Sequence, residues 1–165
     1  MSELRLLQAG QVAAVLAFEL ENRAYFTASI SDRGEEFFDQ YPARHSAALA
    51  EQDAGDCVYY LLVDDVGTVL GRFNLYDLAD GAARLGYRVA ERVAGQGVAT
   101  RCVRELCRIA ATEYGLHTLR AATSHDNVAS QKVLARAGFV PVGPASPNQL
   151  GGKSGTCYER DLRQG

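Results

Sequence analysis

The chain is 165 residues long, 47% hydrophobic and 22% charged, with a net charge of −3. Those values describe an ordinary globular polypeptide with enough length to bury a sizeable core, and residues 1–165 read as a single domain. They speak against a basic nucleic-acid-binding face, which needs Lys and Arg in excess, and no apolar run approaches the ~20 residues of a membrane span.

In chain order, Glu3–Leu7 alternates apolar and polar residues and predicts a first strand. Gln11–Arg23 carries Val12, Val15, Leu16 and Leu20 as a helical stripe. Its apolar start, Val12–Phe18, is too short and too soon followed by Glu19 and Glu21 to serve as a signal peptide. A helical region then runs from Asp32 to the neighbourhood of Ala54, broken near Pro42, with Phe37, Phe38 and Tyr41 facing inward. Cys57–Val63 and Val69–Tyr76 are β-rich runs joined by the turn Asp64-Asp65-Val66-Gly67, and Ala83–Val89 follows a turn at Asp80-Gly81. Three successive antiparallel strands are expected there.

The pattern changes at Gly97–Tyr114. Ala99, Val103, Leu106, Ala110 and Tyr114 fall on one side, Arg101, Arg104, Glu105, Arg108 and Thr112 on the other, and Gly115 stands where a helix C′ glycine belongs. Leu116–Ala122 reads as a strand, Asn127–Ala137 as a shorter helix stopped by Gly138, and Phe139–Val142 and Cys157–Leu162 as closing strands across the loop Gly143–Gly155. The strand–helix alternation of the second half introduces parallel pairing into a sheet that begins antiparallel, which predicts a mixed α/β sandwich.

The most informative stretch is Arg92-Val93-Ala94-Gly95-Gln96-Gly97, opening straight into Val98-Ala99-Thr100-Arg101. Two glycines at a strand-to-helix junction let backbone approach a ligand without Cβ interference. The free N–H groups of the first helical turn, with the positive end of the helix dipole behind them, favour a phosphate or pyrophosphate. A nucleoside triphosphate loop is a poor match. Gly151-Gly152-Lys153-Ser154 imitates its end, but the first glycine would fall at Pro147 and a strand follows. A dinucleotide loop is also weak, because the third glycine position is Thr100 and no acidic residue stands on a suitably spaced parallel strand. The third reading is coenzyme A. Cys57, Cys102, Cys107 and Cys157 show no paired spacing and the three histidines are scattered, so neither a metal site nor a disulfide framework is expected, and a reducing cytoplasm fits best.

The order Arg92-x-x-Gly95-x-Gly97-x-Ala99-Thr100, then a helix, then Asn127-x-x-Ser130-x-x-Val133-Leu134-x-x-x-Gly138-Phe139 resembles the GNAT superfamily of acetyl-CoA-dependent N-acetyltransferases. Within it the chain is most similar to the branch that acetylates the N-terminal alanine or serine of ribosomal proteins. Phe18-Glu19-x-x-Asn22-Arg23-x-Tyr25-Phe26 resembles that branch's first helix and following loop, Leu70-Gly71-Arg72-x-Asn74-Leu75 its third strand, and Leu85-Gly86-Tyr87-Arg88-Val89 its fourth. The resemblance implies an α+β fold: a mixed, mostly antiparallel seven-stranded sheet with helices on both faces. It also implies acetyl-CoA as co-substrate, with no metal, and an amine acceptor that is a protein N-terminus or a small amine. Nucleic-acid and membrane partners are not expected, and pairing into a homodimer stays open.

By the same resemblance, the backbone of Arg92, Val93, Ala94, Gly95, Gln96 and Gly97 and the helix start Val98, Ala99 and Thr100 hold the pyrophosphate. The strand through Tyr87 to Val89 holds the pantetheine arm. Arg92 and Arg101 either add charge near the phosphates or lie on a solvated face. Asn127 is an N-cap by position, and the resemblance adds a contact to the coenzyme's amide arm. Ser130, one turn further on, matches the position beside the coenzyme sulfur and becomes the catalytic acid candidate, alongside an ordered water, because Leu134 fills the slot where many relatives carry Tyr. Arg84 stands where relatives often carry a Glu base, which leaves Glu19, Glu21, Asp77 and His125 as base candidates, each also readable as a surface charge. Asn22, Tyr25 and Phe26, with the Gly143–Gly155 loop, are expected around the acceptor. An acyl-cysteine route through Cys102 or Cys107, a polyamine or antibiotic acceptor, and a non-catalytic acetyl-CoA-binding module are the alternatives.

Overall fold

A computed structural model of the chain describes residues 1–163. Seven strands form one sheet in the order β1-β2-β3-β4-β5-β7-β6: β1 (Glu3–Leu6), β2 (Val58–Val63), β3 (Val69–Ala79), β4 (Ala82–Val89), β5 (Thr118–Ser124), β6 (Val140–Pro144) and β7 (Gly155–Asp161). Every neighbouring pair is antiparallel except β4 and β5. Strand β2 explains why the sheet carries helices on both faces. Its residues alternate, with Val58, Tyr60 and Leu62 entering one core and Tyr59, Leu61 and Val63 the other.

The first core lies under α5 (Val98–Glu113) and α6 (Val128–Arg136), through Cys102, Val103, Leu106 and Leu134. The second lies under α1 (Val12–Glu21), α2 (Arg23–Thr27), α3 (Glu35–Asp39) and α4 (Tyr41–Asp53), through Val15, Phe18, Phe26, Phe37, Phe38 and Tyr41. The expected mixed sheet is therefore the observed one.

Several boundaries move for local reasons. The single helix expected over Gln11–Arg23 breaks at Asn22, and α2 continues it. Pro42 does not end a helix. It occupies the first turn of α4, where a missing N–H costs nothing, and the break falls at Gln40. The region expected from Asp32 starts only at Glu35, because the Asp32 carboxylate turns back to accept the Gly34 N–H at 3.1 Å. Strand β5 begins at Thr118 rather than Leu116, since the Leu116 and His117 amides are taken by Ala110 and Gly81 carbonyls. Strand β7 starts two residues earlier than expected, at Gly155, which pairs with Ser124. A Cβ at Gly155 would stand 2.2 Å from the Thr123 carbonyl oxygen, so only glycine lets the two strands close there.

The split between β4 and β5 positions the cleft. The parallel pair β4–β5 holds only over Ala82–Thr118, Ala83–Leu119 and Arg84–Arg120. Beyond it the strands part, and on that side Leu85–Val89 of β4 has no strand partner. Unpaired backbone groups in a half-buried cleft need a partner from elsewhere, and a ligand can supply it. No helix among the described residues is long and apolar enough to cross a membrane.

Candidate active site

The cleft is entered at the N-terminus of α5. Gly97 caps that helix with φ +76 and Gly95 precedes it with φ +74, both in the left-handed region that disfavours a side chain. A Cβ at either glycine would meet no protein atom within 4 Å. The space a side chain would fill is thus left open in front of free helix-start N–H groups. This is a cradle fitted to a diphosphate, and the residues fit coenzyme A on that ground.

A cavity of about 440 Å³ continues from the cradle along the β4 edge to α2 and α6. It gathers Tyr25, Phe26, Tyr87, Val89, Val93, Ala94, Gly95, Gly97, Val98, Ala99, Thr100, Asn127 and Ser130 from the sequence-derived candidates. Three candidates are not brought to it. Arg92 and Gln96 lie outside its wall, with the Gln96 amide donating to the Arg92 carbonyl at 3.1 Å and bracing the turn. Asn22 is buried away from it. Its Nδ2 donates to the Phe18 carbonyl at 2.9 Å and its Oδ1 accepts the Glu91 amide at 2.9 Å, which ties α1 to the turn ahead of α5. Arg101 borders a separate and larger groove of about 850 Å³ on the exposed side of α5, where it reaches Ser2 Oγ. That groove holds none of Tyr87, Val89 and Ser130.

A smaller cavity of about 240 Å³ lies behind the first and shares Tyr87, Asn127 and Ser130 with it, as well as Ser29 and Ile30. The β6–β7 loop closes it through Gln149, Leu150, Gly151 and Lys153. Lys153 Nζ donates to the Ser29 carbonyl at 3.2 Å and meets Asp126 Oδ2 at 3.3 Å, linking that loop to the segment after α2.

At the junction of the two cavities the Tyr87 hydroxyl and Ser130 Oγ are 2.9 Å apart. Tyr87 stacks on Phe73 with ring centroids 5.8 Å apart. Burial raises its phenol to about 12, against a lowering by the Ser130 hydrogen bond, so the phenol is neutral and able to donate at neutral pH. Asn127 caps α6 by accepting the Ser130 amide at 3.2 Å, which fixes the turn that carries Ser130.

None of the four base candidates lines either cavity. Glu19 is 1% exposed rather than a surface charge, and it is bound by Arg33, Arg72 and Arg88 at 2.9, 2.8 and 3.2 Å. Burial pushes its carboxyl up, but the three guanidinium groups together outweigh that and hold it below 4.5, so it is a poor proton acceptor at neutral pH. Asp77 is paired with Arg84 at 3.2 Å, His125 Nε2 is 3.3 Å from Thr156 Oγ1, and Glu21 is exposed. Leu134, in the slot where a Tyr was looked for, is buried in the core. Burial raises the Cys102 thiol to about 11 and also raises Cys107, which leaves neither as a thiolate nucleophile near neutral pH.

Arg88, Lys132 and Ile30 also line these cavities and have no assigned role in the sequence reading, whereas Lys153 belongs to the Gly143–Gly155 loop expected around the acceptor. Only Arg88 carried a usable signal: in Leu85-Gly86-Tyr87-Arg88-Val89 the strand period of two turns Arg88 to the face opposite Tyr87.

A sheet opened at its parallel pair, with a glycine-edged helix start beside the gap, is a cleft suited to a diphosphate-bearing carrier. Residues 3–140 match the model of the acetyltransferase (GNAT) domain, and the chain belongs to that family of acetyl-CoA-dependent enzymes, which transfer an acetyl group to an amine. Among similar solved structures is a ribosomal-protein-S5-alanine acetyltransferase from Vibrio fischeri, with a TM-score of 0.90 at 20% identity over 99% of this chain and 94% of that one. Another is Mycobacterium smegmatis RimJ in complex with CoA-disulfide, at 0.88 and 20%, over 99% and 83% of the two chains. A spermidine N-acetyltransferase SpeG chimera from Vibrio cholerae and hSSAT gives 0.81 and 15%, over 99% and 96%. At such identities the likeness is one of fold. No curated protein sequence matches the chain.

Proposed function

We propose that the chain, as a single domain, transfers the acetyl group of acetyl-CoA to the α-amine of a protein or peptide N-terminus, directly and within one ternary complex. The observation that carries this reading is that no Asp, Glu or His among the described residues lines either cavity. Without a base, the acceptor must reach its neutral form unaided. At pH 7 that costs about 1 kcal/mol for an α-amine of pKa near 7.7–8 and about 4–5 kcal/mol for a Lys-type amine near 10.4. The likeness to the ribosomal-protein-S5-alanine acetyltransferase supports the same acceptor class. A polyamine acceptor, as in the spermidine acetyltransferase, meets Lys132 and Arg136, which have no ion-pair partner among the described residues, beside the paired Arg88 and Lys153. The four free cysteines suit a reducing compartment, and the cytoplasm is the proposed location.

In this mechanism the coenzyme supplies a thioester, an acyl group activated toward amines. The Gly95–Gly97 turn and the start of α5 hold its diphosphate, and the open edge of β4 through Val89 offers backbone N–H groups to the pantetheine arm and to the oxygen that gains charge. Tyr25 and Phe26 form the wall opposite that edge. Holding amine and acyl carbon together in the cleft contributes to the acceleration alongside stabilisation of that oxygen's charge. Ser130 would give a proton to the departing sulfur and take one from Tyr87, at 2.9 Å, and the proton the amine sheds on becoming an amide would return to Tyr87 through solvent, closing the cycle.

The test is amine-dependent thiol release with Ala- and Ser-starting peptides, spermidine and an aminoglycoside as acceptors. Turnover on the peptides is expected to exceed that on the cations. Coenzyme binding with no thiol release from any amine would instead mark a module without turnover. Ser130→Ala is expected to lower kcat about tenfold at pH 7 with KM for acetyl-CoA little changed, the low end of general-acid effects because a thiol of pKa about 8.5 leaves with modest help. The deficit should shrink above pH 8.5. A kcat equal to the parent's across that pH range would remove Ser130 from the proton path.

A further inference from the structure

The Glu19 cluster holds three guanidinium groups against one carboxylate, in a region where Arg72 and Arg88 side chains are 9% and 14% exposed. The next arginine, Arg23, does not change that balance, since Asp32 and Glu35 each meet it at 2.8 Å. Donors exceed acceptors inside the cluster as well, and Arg72 Nε is buried with no partner. One guanidinium is enough to neutralise Glu19, and Arg33 and Arg72 make the two shorter contacts. Arg88 makes the longest of its three contacts, at 3.2 Å, and among the described residues Glu19 is the one hydrogen-bond acceptor its guanidinium meets.

Arg88 is also the member of the cluster that faces the reaction. It lines the 440 Å³ cavity beside Tyr25 and Phe26, with its guanidinium carbon 4.6 Å from the Phe26 ring centroid. It follows Tyr87, whose hydroxyl lies at the junction of the two cavities. Tyr87 and Arg88 line the same cavity, so the residues that follow an amine held near Tyr87 share that cavity with the Arg88 guanidinium. Burial lowers the Arg88 guanidinium to about 10, which still leaves it charged at neutral pH. A half-buried guanidinium with spare N–H groups binds carboxylate well, through charge-assisted hydrogen bonds in a weakly screened site.

We infer that Arg88 sets acceptor specificity by receiving a carboxylate, so that peptides with Asp or Glu one or two residues behind the α-amine are preferred acceptors. The inference rests on the α-amine reading above. A purely structural Arg88 would clamp α1 to β4 and leave the acceptor's charge irrelevant, so the two roles separate by substrate.

The experiment compares C-terminally amidated tetrapeptides Ala-Asp, Ala-Glu, Ala-Gln and Ala-Lys, completed with Gly-Gly, in steady-state kinetics at two salt concentrations. The parent should favour Asp or Glu over Lys by about 30-fold in kcat/KM, mostly through KM, with the gap narrowing as salt rises. Arg88→Gln should bring all four peptides within about threefold of one another, and Arg88→Glu should favour Lys. An unchanged rise in melting temperature with coenzyme A verifies that each variant is folded, and if one does not fold the parent's charge series decides alone. Equal rates on all four peptides in the parent, or a preference for acid that survives in Arg88→Gln, overturns the inference and leaves the α-amine reading standing. Turnover on spermidine with none on any peptide overturns both.

Discussion

Replacing Glu19 by alanine is expected to lower the unfolding free energy by about 3–5 kcal/mol, the cost of leaving buried charge without its partner. The site predicts the upper part of that range. Glu19 is 1% exposed and is, among the described residues, the one anion paired with Arg33, Arg72 and Arg88, which reach it from the loop before α3, from β3 and from β4. Its removal leaves three like charges together, two of them in the low-dielectric layer between α1 and the sheet. A chain of this size has a stability of the order of 5–15 kcal/mol and loses about 2–4 °C of melting temperature per kcal/mol, so the variant should melt roughly 6–20 °C lower. Arg88→Gln, which leaves Glu19 with two partners, should cost much less.

The same pairing makes the fold sensitive to acid. The Glu19 carboxyl sits below its ordinary value of 4.5 in the folded chain. A depressed acid stabilises the fold above its unfolded pKa and loses that contribution as pH falls through the folded one. The parent should therefore lose stability steeply below about pH 4.5, while Glu19→Ala lacks that component of the loss. Thermal unfolding of both proteins at pH 7 and pH 4 measures this, and a variant melting within 2–3 °C of the parent at pH 7 would mean that the cluster contributes little.

What the sequence made legible, and what it hid, divides by distance along the chain. Strand β2 and helix α5 are visible because their alternation and stripe are local properties of consecutive residues. The turn before α5 is visible because glycines at 95 and 97 serve a backbone shape that other residues resist. Nothing local distinguishes Leu85–Val89, which opens away from β5, from a strand paired on both edges; the split is a property of how the two halves pack. Glu19 reads as a solvated charge at the end of an apolar run because its partners stand 14, 53 and 69 residues away. Asn22 misleads in the same way, since the amide it accepts lies 69 residues on, at Glu91. The motif carried it into the acceptor pocket, while the structure uses it to hold the glycine turn in place. The Tyr87–Ser130 contact, 43 residues apart, joins two residues the motifs had listed without relating them.

Gly97→Val should weaken coenzyme A binding about 100-fold, through two separable effects. The first is conformational. Gly97 caps α5 at φ +76 and ψ +5, and a β-branched residue there costs of order 1–2 kcal/mol, so part of the population leaves the turn geometry that aims the helix-start N–H groups outward. The second is steric. With no protein atom within 4 Å of the added Cβ, the side chain itself clashes with nothing in the protein and projects into the space the diphosphate requires. The expected signature is a modest fall in the melting temperature of the free protein, together with loss of the rise that saturating coenzyme A gives the parent, a rise of about 2.7 kcal/mol in stability at 100 times Kd. Isothermal titration separates the components. Gly97→Ala keeps the strain but adds only a methyl group, and should bind more tightly than Gly97→Val. Equal affinity of Gly97→Val and the parent for coenzyme A would mean that the diphosphate is held somewhere other than the start of α5.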